Sequence, residues 1–175
     1  DLLKRESASV AEIEVEGSES IVANEYDRAV DAIETLLADL KTEEAQAAAQ
    51  IVLDRFKLVQ GVRDFLIEGI NKAPFRWGWK TGPGQAEDIL SADEEGISIR
   101  SRKIAWRDIS LPRLSGIVTH YVSLPGVPPS TKGNHYIGVS FLCRLNSLTT
   151  VAEQFEDKAI DASPYAEEQL ERLRP

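Results

Sequence analysis

The stretch Pro74-Phe75-Arg76-Trp77-Gly78-Trp79-Lys80-Thr81-Gly82-Pro83-Gly84 divides the chain into two kinds of sequence. Before it, apolar residues recur at steps of three and four. Within it they alternate, with Phe75, Trp77 and Trp79 separated by Arg76, Gly78 and Lys80. Alternation is the period of a half-buried strand, and the Gly-Pro-Gly run is a turn by backbone preference. Toward the C-terminus come a second strand at Gln85 to Ser91 and an acidic turn at Asp93-Glu94-Glu95-Gly96. A third strand follows at Gly96 to Arg100 with Ile97 and Ile99 on one face, then a fourth at Lys103 to Trp106 with Ile104 and Trp106 in step. Such short connections predict an antiparallel meander over residues 74–109, curled or closed into a small barrel.

Toward the N-terminus, Glu43 and Glu44 open a helical pattern in which Ala45, Ala48, Val52, Phe56, Val59, Leu66 and Ile70 trace one stripe. An earlier pattern sets Ala29, Ile33, Leu36, Leu37 and Leu40 on one face behind Asn24 as N-cap. Lys41-Thr42 joins the two into an antiparallel helical hairpin over residues 24–73, with one continuous helix through Lys41 as the alternative. Residues 1–23 read differently. Glu12, Glu14 and Glu16 alternate with Ile13 and Val15, and Gly17-Ser18-Glu19-Ser20 reads as a linker, so an acidic arm, mobile or loosely docked, is expected.

Beyond the strands, Ser110 caps a helix opened by Leu111-Pro112, with Leu114, Ile117, Val118 and Tyr121 as its apolar face. The prolines between Leu124 and Thr131 make that stretch irregular. Helices are expected at Tyr136 to Leu145, Thr149 to Ile160 and Pro164 to Leu173. The predicted fold class is α+β: an N-terminal helical hairpin, a four-stranded antiparallel meander or small barrel, and a C-terminal helical bundle over residues 110–175. One compact unit is expected, because the meander alone would bury too little apolar surface.

Composition narrows the function classes. Among 175 residues, 29 acidic and 20 basic side chains give a net charge of −9, and 42% of residues are hydrophobic. Disordered, collagen-like and coiled-coil classes are disfavoured. The acidic balance weighs against duplex nucleic acid as a partner. The densest basic run, Arg100, Arg102, Lys103 and Arg107, is diluted by Ser101 and Asp108 and reads as a solvated strand edge. No apolar run approaches the roughly 20 residues of a bilayer span, so no membrane insertion is expected. The single cysteine, Cys143, excludes an internal disulfide and leaves cell envelope, periplasm and cytoplasm open. The chain holds no methionine and opens at Asp1 without an apolar leader, so a processed chain or an excised piece of a larger protein is expected.

Residues able to do chemistry do not assemble into a motif. His120 and His135 have no second ligand at metal-binding spacing, and Cys143 lies on an apolar stripe with Val139 and Tyr136. Thr81-Gly82-Pro83-Gly84 lacks the Lys-Ser/Thr ending and following helix of a phosphate loop. The acid pairs Glu43-Glu44, Glu94-Glu95 and Glu167-Glu168 read as solvated faces. The expectation is therefore no catalytic residue, no cofactor, no metal and no enzyme. Trp77, Trp79 and Trp106 are the candidate binding residues: on adjacent strands they could form an aromatic platform for a sugar ring or a proline-rich peptide. Arg100 and Arg102 would flank it and attract an acidic partner. Trp77 and Trp79 share one face of a regular strand, and if that face points inward they are core instead.

Two segments carry resemblances. Residues 133–166 resemble a single tetratricopeptide unit, with Tyr136, Val139, Ser140 and Cys143 at its first-helix positions and Ala152, Ala159 and Pro164 at its later ones; Glu156 departs from the aromatic usual there. The block from Trp77 to Ile109 is similar to small β-barrels of the Src-homology kind. Its order of strand, acidic turn, strand, short turn, strand and helix cap resembles C-terminal accessory regions of large planctomycete- and verrucomicrobial-type bacterial proteins. The resemblance implies architecture and, through the tetratricopeptide-like pair, binding of a protein partner. The functional expectation is a non-catalytic protein-interaction or scaffold module, with the Trp77/Trp79 strand and the exposed side of Tyr136 to Ile160 as contact surfaces. The alternative is a carbohydrate- or peptide-binding module.

Overall fold

The change of period at Pro74 is where the backbone leaves helix for sheet. The computed structural model describes residues 1–174. Three helices come first: α1 (Leu2–Val22), α2 (Tyr26–Asp39) and α3 (Glu43–Lys72). Strands β1 (Phe75–Gly82), β2 (Gln85–Ala92), β3 (Gly96–Ile99) and β4 (Lys103–Ala105) follow, then a 3₁₀ turn and helices α4 (Leu111–Val122), α5 (Pro129–Leu145), α6 (Thr149–Ala162) and α7 (Ala166–Leu173). The fold is α+β. Its antiparallel strands lie in the order β1-β2-β3-β4, an open sheet rather than the small barrel held as an alternative. The chain gathers into two compact units instead of the single one expected: residues 1–60 with the segment from Pro128 onward, and residues 61–127.

In the helical unit, the segment expected as an acidic arm is helix α1. The alternation at Glu12 to Glu16 is a short accident on a longer period: Glu6, Val10, Gly17 and Ile21 are buried and Ile13 is half-buried, at steps of three and four. The supposed linker is helical as well, with Ser18 and Ser20 hydroxyls donating to the carbonyls of Glu14 (2.7 Å) and Glu16 (3.1 Å). Gly17 sits where the Phe56 ring of α3 comes so near that a Cβ would overlap it. Glu6 supplies the second anchor. Its carboxylate accepts the N–H groups of Lys41 (2.9 Å) and Thr42 (3.0 Å) and the Thr42 hydroxyl (2.6 Å), tying α1 to the turn between α2 and α3. The Thr42 hydroxyl above all holds the Glu6 carboxyl below the usual carboxylate range.

Helices α2 and α3 form the expected hairpin, with Lys57 paired to Glu34 (2.7 Å) and Gln60 donating to Asp27 (2.7 Å) across it. The N-cap is Glu25 rather than Asn24, which takes a left-handed φ of 62° and accepts the Tyr26 hydroxyl. Helix α5 begins at Pro129 rather than Tyr136, because proline in a first turn sacrifices no helical hydrogen bond. It packs along α6 through Tyr136 against Phe155, whose ring centroids lie 6.0 Å apart, and through Arg144, which binds Glu156 at 2.7 Å. Ile21, Ile33, Ile137, Val139, Leu170 and Leu173 are fully buried in this unit.

The second unit answers the burial problem of a bare meander by enlisting the end of α3 and all of α4. Asn71 bonds the Ala92 backbone in both directions, at 2.8 and 2.9 Å. The Tyr121 hydroxyl donates to the Ala73 carbonyl (2.6 Å), and Arg113 donates to the Lys80 carbonyl (2.9 Å). Tyr121 lies against Gly69 of α3, where a Cβ would come within 2.9 Å of its ring. Leu66, Ile70, Ile89, Ile97, Ile117 and Val118 are buried in this unit. At the β3–β4 end the backbones approach closely: a Cβ on Gly96 would collide with the Ile104 carbonyl and lie 2.8 Å from the Ala105 Cα.

Candidate functional site

The strand read as regular, β1, is interrupted at its centre. Phe75 pairs with Ile89 and Trp79 with Glu87, so four steps along β1 match two along β2 and the residues between are extruded as a bulge. Phe75 is fixed before the bulge, its ring stacked on His120 at 3.7 Å and 5° and set edge-on to Tyr121. That ring overlies Gly78, where a Cβ would come within 3.1 Å of the Phe75 Cβ. A glycine is required there by space. Between them Trp77 takes φ 58°, and its N–H is accepted by the Asp88 carboxylate at 2.8 Å. A tryptophan in the left-handed region is held only where its surroundings insist on it.

The bulge separates the two tryptophans expected to share a face. Trp77 is 71% exposed, whereas Trp79 is 6% exposed and lies beneath the Arg113 guanidinium, 4.0 Å from its ring centroid. Trp106 is 7% exposed and its indole N–H donates to the Asp93 carbonyl at 2.8 Å. Two of the three tryptophans are therefore core, and an exposed three-ring platform does not form. The inward-or-outward alternative posed by the sequence has a split outcome: Trp79 inward, Trp77 outward.

Arg100 and Arg102 are exposed beside the turn between β3 and β4. That turn is anchored by Ser101, whose N–H and hydroxyl donate to the Glu87 carboxylate at 2.9 and 2.8 Å. Glu87 and Asp88 are consecutive in β2, so one strand fixes the arginine-bearing turn on one side and the Trp77 bulge on the other. Arg76, next to Trp77, is exposed as well. Neither Arg100 nor Arg102 enters an ion pair among the described residues. Lys103, the third member of the basic run, is committed elsewhere: it bridges Asp93 (2.6 Å) and Glu95 (2.7 Å), which raises its pKa and, with the Glu95 and Gly96 N–H groups, lowers that of Asp93.

Asp88, which holds the Trp77 backbone at the candidate site, is the residue that sequence reasoning missed. Its signal was a carboxylate facing a Trp-Gly-Trp run across a hairpin, legible only once the register is known. The remaining reactive side chains are withdrawn. Burial pushes the half-buried His135 down to about 4, lowers His120 and raises the fully enclosed Cys143 thiol. Among the described residues, no three of His, Cys, Asp and Glu converge where a metal ion could sit, and no helix is long and apolar enough to cross a membrane. No family model matches the chain, and neither any curated protein nor any solved structure is significantly similar to it.

Proposed function

We propose that the chain is a non-catalytic interaction module that docks an acidic protein partner through Trp77, helped by the exposed Arg76, Arg100 and Arg102 of the same strand unit. The observation that carries this reading is the conformation of Trp77. A left-handed φ costs a non-glycine residue roughly 1–2 kcal/mol, and this ring recovers little of it by burial. Glycine would satisfy the backbone better, so the indole serves something outside the fold. Tryptophan and arginine are the residues that most often dominate interface energetics. Residues 61–127 carry 9 basic against 8 acidic side chains in a chain whose net charge is −9, which favours an acidic partner at this face.

The test uses Trp77→Gly, which removes the ring while relieving the backbone. A protein retained by the wild-type chain and lost from Trp77→Gly, in a variant whose Tm does not fall, supports the reading. The same partner should weaken on Arg100→Glu with Arg102→Glu. Identical binding profiles for wild type and Trp77→Gly would refute it.

A further inference from the structure

We infer that the acidic partner of the Trp77 face is a second copy of this chain, which presents its helix α1. This rests on the docking reading above and names the occupant. The exposed large hydrophobic residues of 61–127 are Trp77, 71% exposed, and Leu90, 46% exposed. Both lie on the β1–β2 hairpin. Asp88 and Leu90 flank the buried Ile89 and so point away from the core, and Asp88 holds the Trp77 backbone. Ile89 pairs with Phe75 on one side and with Ile99 on the other, which brings Arg76 and Arg100 to the level of Asp88. Adjacent strands lie about 4.8 Å apart, so both arginines are within reach of one partner. Neither enters an ion pair among the described residues, whereas Glu87, Asp88, Asp93 and Glu95 are all engaged within the strand unit. The hairpin thus offers two apolar side chains and two unpaired guanidinium groups.

Helix α1 carries the counterpart. Val15, Glu19 and Val22 recur at steps of four and three on one helix face, and the valines are 60% and 47% exposed. Glu16 and Glu19, in no ion pair among the described residues, border a cavity of about 480 Å³ between α1 and α2. Gly17, Ala29 and Ala32 line it, and residues that small leave room for a flat ring. Arg28 on its wall is held by Glu25 at 2.9 Å. Two exposed apolar residues with two unpaired carboxylates therefore match what the strand hairpin offers. Charge agrees on a larger scale: the helical unit holds 21 acidic against 11 basic side chains, the strand unit 8 against 9. Two helical units repel each other, which favours approach of the hairpin instead. The two surfaces differ, so the contact is heterologous, and each added copy leaves one of each surface free.

The test is sedimentation equilibrium of the full chain over rising concentration. The wild type should exceed the 19.4 kDa monomer progressively, without a plateau at the dimer. Trp77→Gly removes the hairpin surface and Glu16→Lys with Glu19→Lys the helix surface, and each should weaken association by about tenfold or more. The decisive measurement mixes the two variants. One keeps the helix surface and the other the hairpin, so the mixture should associate to a dimer and stop there. A wild type monomeric to millimolar concentration, undiminished association in Trp77→Gly, or a mixture no heavier than its components would each overturn the inference. Should the double variant fail to fold, Val15→Glu on the same exposed stripe takes its place in the mixture. A monomeric chain that still captures a foreign acidic protein through Trp77 overturns this inference and leaves the docking reading standing. Trp77→Gly indistinguishable from wild type in both capture and sedimentation overturns both.

Discussion

The two units bury their cores with opposite uses of charge. Residues 1–60 and the segment from Pro128 onward carry 21 acidic against 11 basic side chains, a net charge of −10, whereas residues 61–127 carry 8 against 9, a net charge of +1. In the helical unit the carboxylates tie one helix to another or to its turn: Glu6 to Thr42, Glu14 to Arg55, Glu156 to Arg144, Asp54 to Arg172. In the strand unit they shape the backbone of the sheet itself, Asp88 holding the Trp77 bulge, Glu87 the Ser101 turn and Asp93 the Glu95-Gly96 turn. Helices satisfy their own backbones, so side chains are free for long-range ties. A short, bulged sheet leaves N–H groups that need nearby acceptors.

The largest effect expected on this contrast comes from Gly96→Val. Its added carbons meet backbone rather than a movable side chain, so β3 and β4 must separate at a cost of about 4 kcal/mol. All three tryptophans lie in the strand unit, and a red-shifted emission at low denaturant would report the loss; unchanged emission would mean that the strand pairing tolerates the shift. Next is Ile33→Ala on α2, fully buried, which should cost about 3 kcal/mol in denaturant unfolding followed by helical circular dichroism.

Glu6→Gln tests the helical unit's charged ties through pH. The folded-state pKa of Glu6 lies below its ordinary 4.5, so its stabilising contribution is whole above that value and is lost as pH falls through the lowered one. The variant should therefore melt below the wild type near neutral pH, and the gap should close in acid. A gap independent of pH would show that the carboxylate charge is not the tie. Smallest is Trp77→Gly, expected to raise stability by up to about 1 kcal/mol, with urea midpoints as the readout.

Legibility followed the same division. Strand order and turn positions could be read because each connection is local and the first two carry their own Gly, Pro or Asp signal. The bulge could not, because alternation assumes an unbroken ladder, and the left-handed turn of the backbone at Trp77 within the bulge parts it from Trp79 without altering composition. The first helix was obscured by five residues whose accidental alternation outvoted the stripe from Glu6 to Ile21. Arg100 and Arg102, read as a solvated strand edge, are exposed in the turn between β3 and β4, while the role of Asp88 depends on the backbone of Trp77, eleven residues away in sequence.

Cys143, enclosed on α5, makes this chain its own unfolding clock. A folded molecule should ignore iodoacetamide, since the thiol is hidden and its ionisation suppressed. Each alkylation event then records one opening of the surrounding helices, with no second sulfhydryl to blur the count.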